Sequence, residues 1–142
     1  MKIVMGSDHA GRELKLQLKE FIELKGHSVI DVGSNLSESV NYPVYGKLAA
    51  EKIINGEAEL AVLVCGTGCG MSLAVNKVKG IRCVNCTEPC TAMLARKHNN
   101  ANALALGARI VSSELAKMIV DTWLNARFLG GRHLKRVEMY ED

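Results

Sequence analysis

The chain has 142 residues, of which 48% are hydrophobic, 23% charged and 4% aromatic, with a formal net charge of +3 at neutral pH. This length predicts a single domain over residues 1–142, which buries about two-thirds of the surface that its unfolded form exposes. The modest positive charge is compatible with an anionic small molecule. The scarcity of aromatic residues and of dense basic runs argues against nucleic-acid binding, and no long apolar stretch predicts a membrane span.

The cysteines are odd in number, five in all, which argues against a complete set of disulfides. No secretory leader or long apolar stretch precedes them in the sequence. Because disulfides persist mainly in oxidising compartments, we expect free thiols and a cytoplasmic location. The five positions are Cys65, Cys69, Cys83, Cys86 and Cys90.

Segments with strand and helix character alternate from the first residues onward. A β-rich run at Lys2–Met5 precedes an amphipathic segment in which Leu14, Leu18 and Ile22 have helical spacing, with Gly26 as its C-cap. The later predicted strands are Ser28–Val32, Leu60–Val64, Ile81–Val84 and Ala103–Leu106. The strands and helices follow one another without a linker or an internal repeat.

Helix signals fill the intervals between these strands. The predicted helices run from Pro43 to Gly56, through Leu73 and Val75, from Thr87-Glu88-Pro89 to Lys97, from a cap at Ser112 or Ser113 through Leu124, and after Gly130-Gly131. This alternation predicts a three-layer α/β/α sandwich. Its Rossmann-like sheet is expected to have roughly five parallel strands with right-handed crossovers.

The segment at residues 59–72 contains the most informative pattern. Leu60–Val64 is an unbroken apolar run, typical of a central parallel strand, and it ends at Cys65 and a turn with Gly66, Gly68 and Gly70. Ligands of open α/β sheets bind at the carboxyl ends of strands, where bare backbone N–H groups can approach an anion. Such N–H groups also favour a thiolate, which acts as base or nucleophile; the alternative for Cys65 is a buried thiol that behaves as a small hydrophobic residue.

Two further groups of polar residues fall near strand ends. Asp8 and His9 follow the first strand, so they can share one crevice with the turn after Cys65; alternatively, Asp8 is a helix N-cap and His9 a surface residue. His98 and Asn99 precede the fifth strand and Arg109 follows it. His98 could donate a proton or could be a cation that stabilises a helix C-terminus, and Arg109 could be a solvated arginine.

Arg132 and Arg136 are four residues apart and therefore share one helical face, where two guanidinium groups suit a phosphate. The alternative is an ordinary basic tail.

Metal and nucleotide cofactors are not expected. The spacing Cys83-x2-Cys86-x3-Cys90 resembles a metal motif, but one cysteine falls in a predicted strand, another in a predicted helix, and no fourth ligand follows at a suitable distance. The glycines at 66, 68 and 70 lack the spacing of the dinucleotide fingerprint.

Several blocks of sequence, in order along nearly the whole chain, resemble the type B ribose-5-phosphate isomerase family, which also includes galactose- and allose-phosphate isomerases. The blocks are residues 6–11 (GSDHAG), 65–72 (CGTGCGMS), 76–77 (NK), 80–82 (GIR), 96–102 (RKHNNAN), 106–109 (LGAR) and 130–136 (GGRHxxR).

The resemblance implies a metal-free aldose–ketose isomerisation of ribose 5-phosphate and ribulose 5-phosphate. In it, Cys65 would be the base that moves a proton between C1 and C2 through an enediolate, the 66–70 loop with Thr67 would hold the oxyanion, and His98 would open the sugar ring. The remaining residues implied in substrate binding are Asp8 and His9 at the sugar or its phosphate, Asn99 at a hydroxyl, and Arg109, Arg132 and Arg136 at the phosphate.

The family has two branches that differ in the base, and Cys65 with Met71 matches the cysteine branch. Cys69 lies in the substrate-binding loop at a position that varies in the family, so no catalytic role is expected for it.

The resemblance also implies a homodimer or tetramer in which His98, Asn99 and Arg109 reach into the partner's site. Two alternatives are a six-carbon 6-phosphate substrate, through a pocket shaped by residues 34–45, and a non-catalytic phosphosugar-binding module, against which the intact Cys65 and His98 argue.

Overall fold

The computed structural model describes residues 1–141, and its centre is a five-stranded parallel sheet. The strands are β1 (Lys2–Ser7), β2 (Ser28–Asp31), β3 (Leu60–Cys65), β4 (Cys83–Asn85) and β5 (Ala103–Gly107). Their order across the sheet is β2-β1-β3-β5-β4, and every neighbouring pair is parallel. The helices are α1 (Arg12–Leu24), α2 (Tyr42–Ile54), α3 (Cys69–Asn76), α4 (Pro89–Asn99), α5 (Ser113–Asn125) and α6 (Arg132–Glu138), followed by a 3-10 turn at Met139–Glu141.

Two separate apolar clusters cover the two faces of the sheet. One contains the fully buried Trp123 and packs α1, α4 and α5 against the strands. The other contains Met71 and Val75 and packs α2 and α3 against the opposite face. The prediction of a three-layer α/β/α sandwich with five parallel strands is therefore confirmed.

Strand β3 occupies the middle of the sheet, with β1 on one side and β5 on the other. All six of its residues are buried, as expected for a strand covered on both faces. Its last residue, Cys65, is level with Gly107 at the end of β5, and Val64 is level with Ser7 at the end of β1. Three strands thus end together at one edge, which we call the carboxyl edge.

Several element boundaries differ from the sequence prediction by one or two residues, and those of β4 and α4 bear on the site. Strand β4 covers Cys83–Asn85 instead of Ile81–Val84, because the Asn102 side chain accepts the Arg82 N–H at 2.8 Å and the strand pairing begins only afterwards. Helix α4 continues to Asn99 instead of ending near Lys97. His98 and Asn99 are therefore in the last helical turn, not in a loop after it.

A buried lysine fixes the segment that follows β2. The Lys15 ammonium is fully buried and donates to Asp31 Oδ1 at 2.7 Å, Ser34 O at 3.0 Å and Asn35 Oδ1 at 2.9 Å. Burial lowers the pKa of Lys15, and the hydrogen bond to Asp31 opposes that shift. With all three donors used, Lys15 holds the loop after β2 against α1.

Among residues 1–141, no helix combines the length and the apolar composition that crossing a membrane requires.

Candidate active site

Asp8 and the turn after Cys65 lie side by side at the carboxyl edge. The Asp8 N–H donates to Val64 O at 3.3 Å, which ties the turn after β1 to the end of β3. The Asp8 side chain is buried, and its Oδ1 accepts the Gly11 N–H at 2.9 Å. The turn that leads into α1 therefore uses one carboxylate oxygen, but the N-cap of α1 is Gly11, so the interpretation of Asp8 as the helix N-cap is wrong. Within residues 1–141 the second oxygen makes no hydrogen bond.

Cys65 is buried, but its sulfur is not in a purely apolar environment. The Gly68 N–H donates to Cys65 Sγ at 3.2 Å, and helix α3 begins one residue later at Cys69. The turn closes this tightly because Gly68 has a φ of +82°, in the left-handed region that favours glycine. An N–H donor and a helix N-terminus both stabilise negative charge on the sulfur.

The same turn presents further backbone donors. Thr67 is exposed, and its Oγ1 accepts the Cys69 N–H at 3.3 Å, whereas the N–H groups of Thr67 and Gly70 have no partner in the described part of the chain. The turn also packs closely on β5, since a Cβ on Gly107 would lie 2.6 Å from Thr67 O. Rigid, unpartnered N–H groups next to a thiol are the donors that a developing oxyanion requires.

Sequence reasoning did not identify Asn85 as part of this region. Its Nδ2 donates to Thr67 O at 3.2 Å and lies 3.4 Å from Cys69 Sγ, so the end of β4 supports the turn. Its Oδ1 is buried without a hydrogen-bond partner among residues 1–141. No motif signals this residue in the sequence, because the contact depends on β4 and β3 being brought together by the fold.

Arg109 lies beside the Cys65 turn of its own chain. The Arg109 N–H donates to Gly66 O at 3.0 Å, and a Cβ on Gly66 would lie 3.3 Å from Arg109 Nη1. The side chain is exposed at the carboxyl edge, where a phosphate could reach it. The Arg109 backbone is thus tied to the Cys65 turn of its own chain, and the reach of its side chain into a partner's site stays a prediction.

His9 is half-buried and faces the loop that follows β2. Its Nδ1 lies 3.2 Å from the Val40 N–H and accepts it, so a neutral His9 carries its proton on Nε2. The Nε2 donor of His9 is thus left for a ligand.

The other predicted residues lie elsewhere in the chain. Helix α4 begins after β4 at the carboxyl edge and ends just before β5, so His98 and Asn99 lie at the amino edge of the sheet. His98 stacks on His133, and Asn99 Nδ2 donates to the Tyr140 hydroxyl at 2.9 Å. Asn99 and Tyr140 also border a cavity of about 620 Å³ beside the residues that lead into β4.

Arg132 and Arg136 are exposed on α6, which packs beside the last turn of α4. One chain therefore has two sets of site residues at opposite edges of the sheet. The carboxyl-edge set is Asp8, His9, Cys65, Gly66, Thr67, Gly68, Cys69, Gly70 and Arg109, and the amino-edge set is His98, Asn99, Arg132 and Arg136.

Comparison with known proteins places this arrangement in a family. The model of the family described as Ribose/Galactose Isomerase matches residues 3–140. The chain belongs to this family. It is 49% identical over 137 residues to ribose-5-phosphate isomerase B of Escherichia coli K12, with coverage of 96% of this chain and 92% of the relative.

Solved structures of the same family superpose closely on the chain. The structure of ribose-5-phosphate isomerase B from Clostridium thermocellum has a TM-score of 0.97 at 50% identity, covering 98% of this chain and 94% of that one. The Mycoplasma genitalium enzyme, solved with bound ribulose-5-phosphate, has a TM-score of 0.93 at 40% identity, covering 97% and 92%. The resemblance that the sequence motifs indicated is confirmed.

The cysteine spacing at 83, 86 and 90 does not form a metal centre in this member of the family. Cys83 and Cys86 are buried and Cys90 is exposed, and residues 1–141 contain no group of three or more His, Cys, Asp or Glu side chains placed to hold a metal ion. Burial raises the pKa of Cys83 to about 12 and that of Cys86 to about 11. Both thiols therefore stay protonated at neutral pH.

Proposed function

We propose that the protein interconverts ribose 5-phosphate and ribulose 5-phosphate, with Cys65 as the base. The observation that carries the proposal is the position of the Cys65 sulfur, 3.2 Å from the Gly68 N–H, in a turn where the N–H groups of Thr67 and Gly70 have no partner among residues 1–141. The close similarity to ribose-5-phosphate isomerases supports the choice of substrate.

The chemistry requires a base and an oxyanion site next to each other. The Cys65 thiolate takes the proton from C2 of the open-chain aldose, and the C–H electron pair forms the C1–C2 double bond of an enediolate. The carbonyl electrons move to O1, where the N–H groups of Thr67 and Gly70 would stabilise the charge, each by about 3 kcal/mol. Return of the proton to C1, with transfer of the O2 proton to O1, gives the ketose.

The remaining carboxyl-edge residues bind the substrate in this proposal. Asp8 has one carboxylate oxygen available for a sugar hydroxyl, and His9 offers Nε2. Arg109 extends from beside Gly66 to the phosphate. A phosphate held away from the reacting carbons contributes binding energy that positions C1 and C2 at the sulfur.

A complete site needs two copies of the chain. His98 and Asn99 are the last residues of an 11-residue helix that begins at the carboxyl edge. They therefore lie about 16 Å from the edge where Cys65 is found, measured along the strands. We infer a homodimer, alone or paired into a tetramer, in which His98, Asn99, Arg132 and Arg136 of one subunit complete the carboxyl-edge site of the other. Arg109 stays with its own Cys65. In this assembly His98 opens the sugar ring and Asn99 binds a hydroxyl.

We also infer the domain organisation, the cofactor requirement and the location of the enzyme. We infer that residues 1–142 act as one domain without a cofactor. All five cysteines are free thiols, which is consistent with a cytoplasmic location.

The test compares two separate variants in which Cys65 or Cys69 of the turn is replaced by alanine. The purified protein is incubated with ribose 5-phosphate in D2O, and proton NMR follows ribulose 5-phosphate and the deuterium that enters at C2. Cys65→Ala should lower turnover by about 10²–10⁴-fold, the range for loss of a general base. Cys69→Ala is the matched control, since its exposed sulfur has no role in the chemistry and its turnover should stay near wild type.

Unchanged turnover in Cys65→Ala would rule out the cysteine mechanism. The same assay with allose 6-phosphate and galactose 6-phosphate tests the second candidate, a six-carbon substrate, which the breadth of the family favours. Turnover of a hexose phosphate alone would transfer the proposal to that substrate, and binding of all three sugars without any turnover would indicate a phosphosugar-binding module.

A further inference from the structure

We propose that His133 is a positioning residue that holds the His98 imidazole in the orientation needed to open the sugar ring. The inference rests on the proposed function, because it concerns how that isomerase prepares a cyclic aldose for reaction. No role was expected for His133 from the sequence, although it lies within the block of residues 130–136.

The two imidazole rings form a close, nearly parallel stack. Their centroids are 4.3 Å apart and the angle between the ring planes is 10°. His133 is buried, with 8% of its surface exposed, whereas His98 is half-buried and can reach a ligand. The buried ring therefore restricts rotation of the exposed ring about its side-chain bonds.

The sequence around Gly130 and Gly131 builds this stack. The Leu129 N–H donates to Lys97 O at 3.0 Å, which fastens the segment before α6 to the last turn of α4. Both glycines then adopt positive φ, +63° and +55°, and turn the chain into α6.

Helix α6 has one buried face and one exposed face. His133 and Val137 are four residues apart and buried, whereas Arg132 and Arg136 precede each of them by one residue and are exposed. The helix thus offers two guanidinium groups outward while its buried face fixes His98. The His133 N–H also donates to Gly130 O at 3.1 Å, so the first turn of α6 is held at its start.

Charge in this region favours the neutral form of the supporting ring. Desolvation lowers the pKa of His133, and the nearby His98, Arg132 and Arg136 lower it further. A neutral His133 can stack on a protonated His98 without the repulsion that a second imidazolium would bring.

Ring opening is the step that this arrangement serves. The bond from C1 to the ring oxygen breaks, and the ring oxygen takes a proton from His98. The anomeric hydroxyl releases its proton to solvent, and His98 is reprotonated from solvent. The direction of the His98 N–H bond toward the ring oxygen decides the rate, because proton transfer requires hydrogen-bond geometry. A freely rotating His98 would reach that geometry less often.

The two directions of the reaction separate ring opening from the enediolate chemistry. Ribulose 5-phosphate cannot close a five-membered ring because its O5 carries the phosphate, so exchange of its C1 proton with solvent needs Cys65 but no ring opening. Turnover of ribose 5-phosphate needs both. We would compare the two rates by proton NMR in D2O for the wild type, His133→Leu and His133→Phe.

His133→Leu keeps the buried position apolar but removes the stack, and it should slow ribose 5-phosphate turnover about tenfold while C1 exchange of ribulose 5-phosphate stays within about twofold. His133→Phe, the matched control, keeps a flat ring and should preserve both rates. The ring protons of His98 should move downfield in the leucine variant only, because they lose the ring current of residue 133.

Two results would overturn the role of His133. Turnover and exchange that fall together in His133→Leu would mean a general structural effect, and turnover that does not fall would mean that the stack is dispensable. Wild-type protein that exchanges no C1 proton would instead refute the proposed isomerase activity, and with it this inference.

Discussion

Cys65 and Cys83 belong to the same apolar cluster beneath α2 and α3, yet their sulfurs have different neighbours. The Cys65 sulfur accepts a backbone N–H at the start of α3, whereas Cys83 lies among apolar groups with a hydrogen bond to Ser72. Desolvation dominates at Cys83 and raises its pKa to about 12. In the mechanism that we propose, the difference between Cys65 as a base and Cys83 as an inert thiol comes from the position of each sulfur relative to a helix N-terminus.

The raised pKa of Cys83 predicts a loss of stability in alkaline solution. The unfolded chain releases the thiol proton near the ordinary value of 9.0, whereas the folded chain holds it until about pH 12. Unfolding thus becomes more favourable above pH 9, by about 2 kcal/mol at pH 10.5 from this thiol. Urea unfolding at pH 8 and pH 10.5 should show a smaller loss in Cys83→Ala than in wild type, with the exposed Cys90→Ala as control. Equal losses in all three proteins would contradict the prediction.

Helices and strands were predictable in type and order because their apolar periodicity is strong, but their ends depend on individual side-chain hydrogen bonds. Ser112 and Ser113 were equivalent candidates for the cap of α5, and only the structure shows that Ser112 Oγ accepts the Leu115 N–H at 3.2 Å. The start of β4 was misplaced because Asn102, twenty residues away in sequence from Arg82, accepts its N–H. Likewise, the family motif named His98 and Asn99, but local sequence did not place them in the last turn of α4, where Asn100 ends the helix in a left-handed conformation.

The choice between the two serines can be measured as a difference in stability. Ser112→Ala removes the side-chain acceptor at the N-terminus of α5 and should lower the free energy of unfolding by about 1 kcal/mol. Ser113→Ala changes the first residue inside the helix and should have an effect within about 0.5 kcal/mol of zero. Urea denaturation at pH 7 compares the two, and a larger loss in Ser113→Ala would show that the cap is misassigned.

On the scale of the whole molecule, the sheet separates two half-sites. Cys65, Asp8 and Arg109 lie at the carboxyl edge, and His98 lies with Arg132 beyond the amino end of β5. Sequence motifs identify which residues matter but not which of them share an edge, since the position of Arg109 beside its own Gly66 follows from the turn after β5. In the dimer that we propose, the half-sites meet across a pair of chains, and a two-fold axis then makes two identical sites.

This separation predicts that two inactive variants restore activity to each other. In a mixed dimer of Cys65→Ala and His98→Ala chains, one site receives both defects and the other receives an intact Cys65 and an intact His98. Random pairing makes about half of the dimers mixed, so an equimolar mixture refolded together should recover about a quarter of wild-type ribose 5-phosphate turnover. The matched control is an equimolar mixture of wild type and a chain that carries both substitutions. If each site is shared between two chains, this mixture should keep about a quarter of the wild-type turnover. If each site lies within one chain, it should keep about half. An inactive mixture of the single variants would place Cys65 and His98 in the same chain's site, against the geometry of α4.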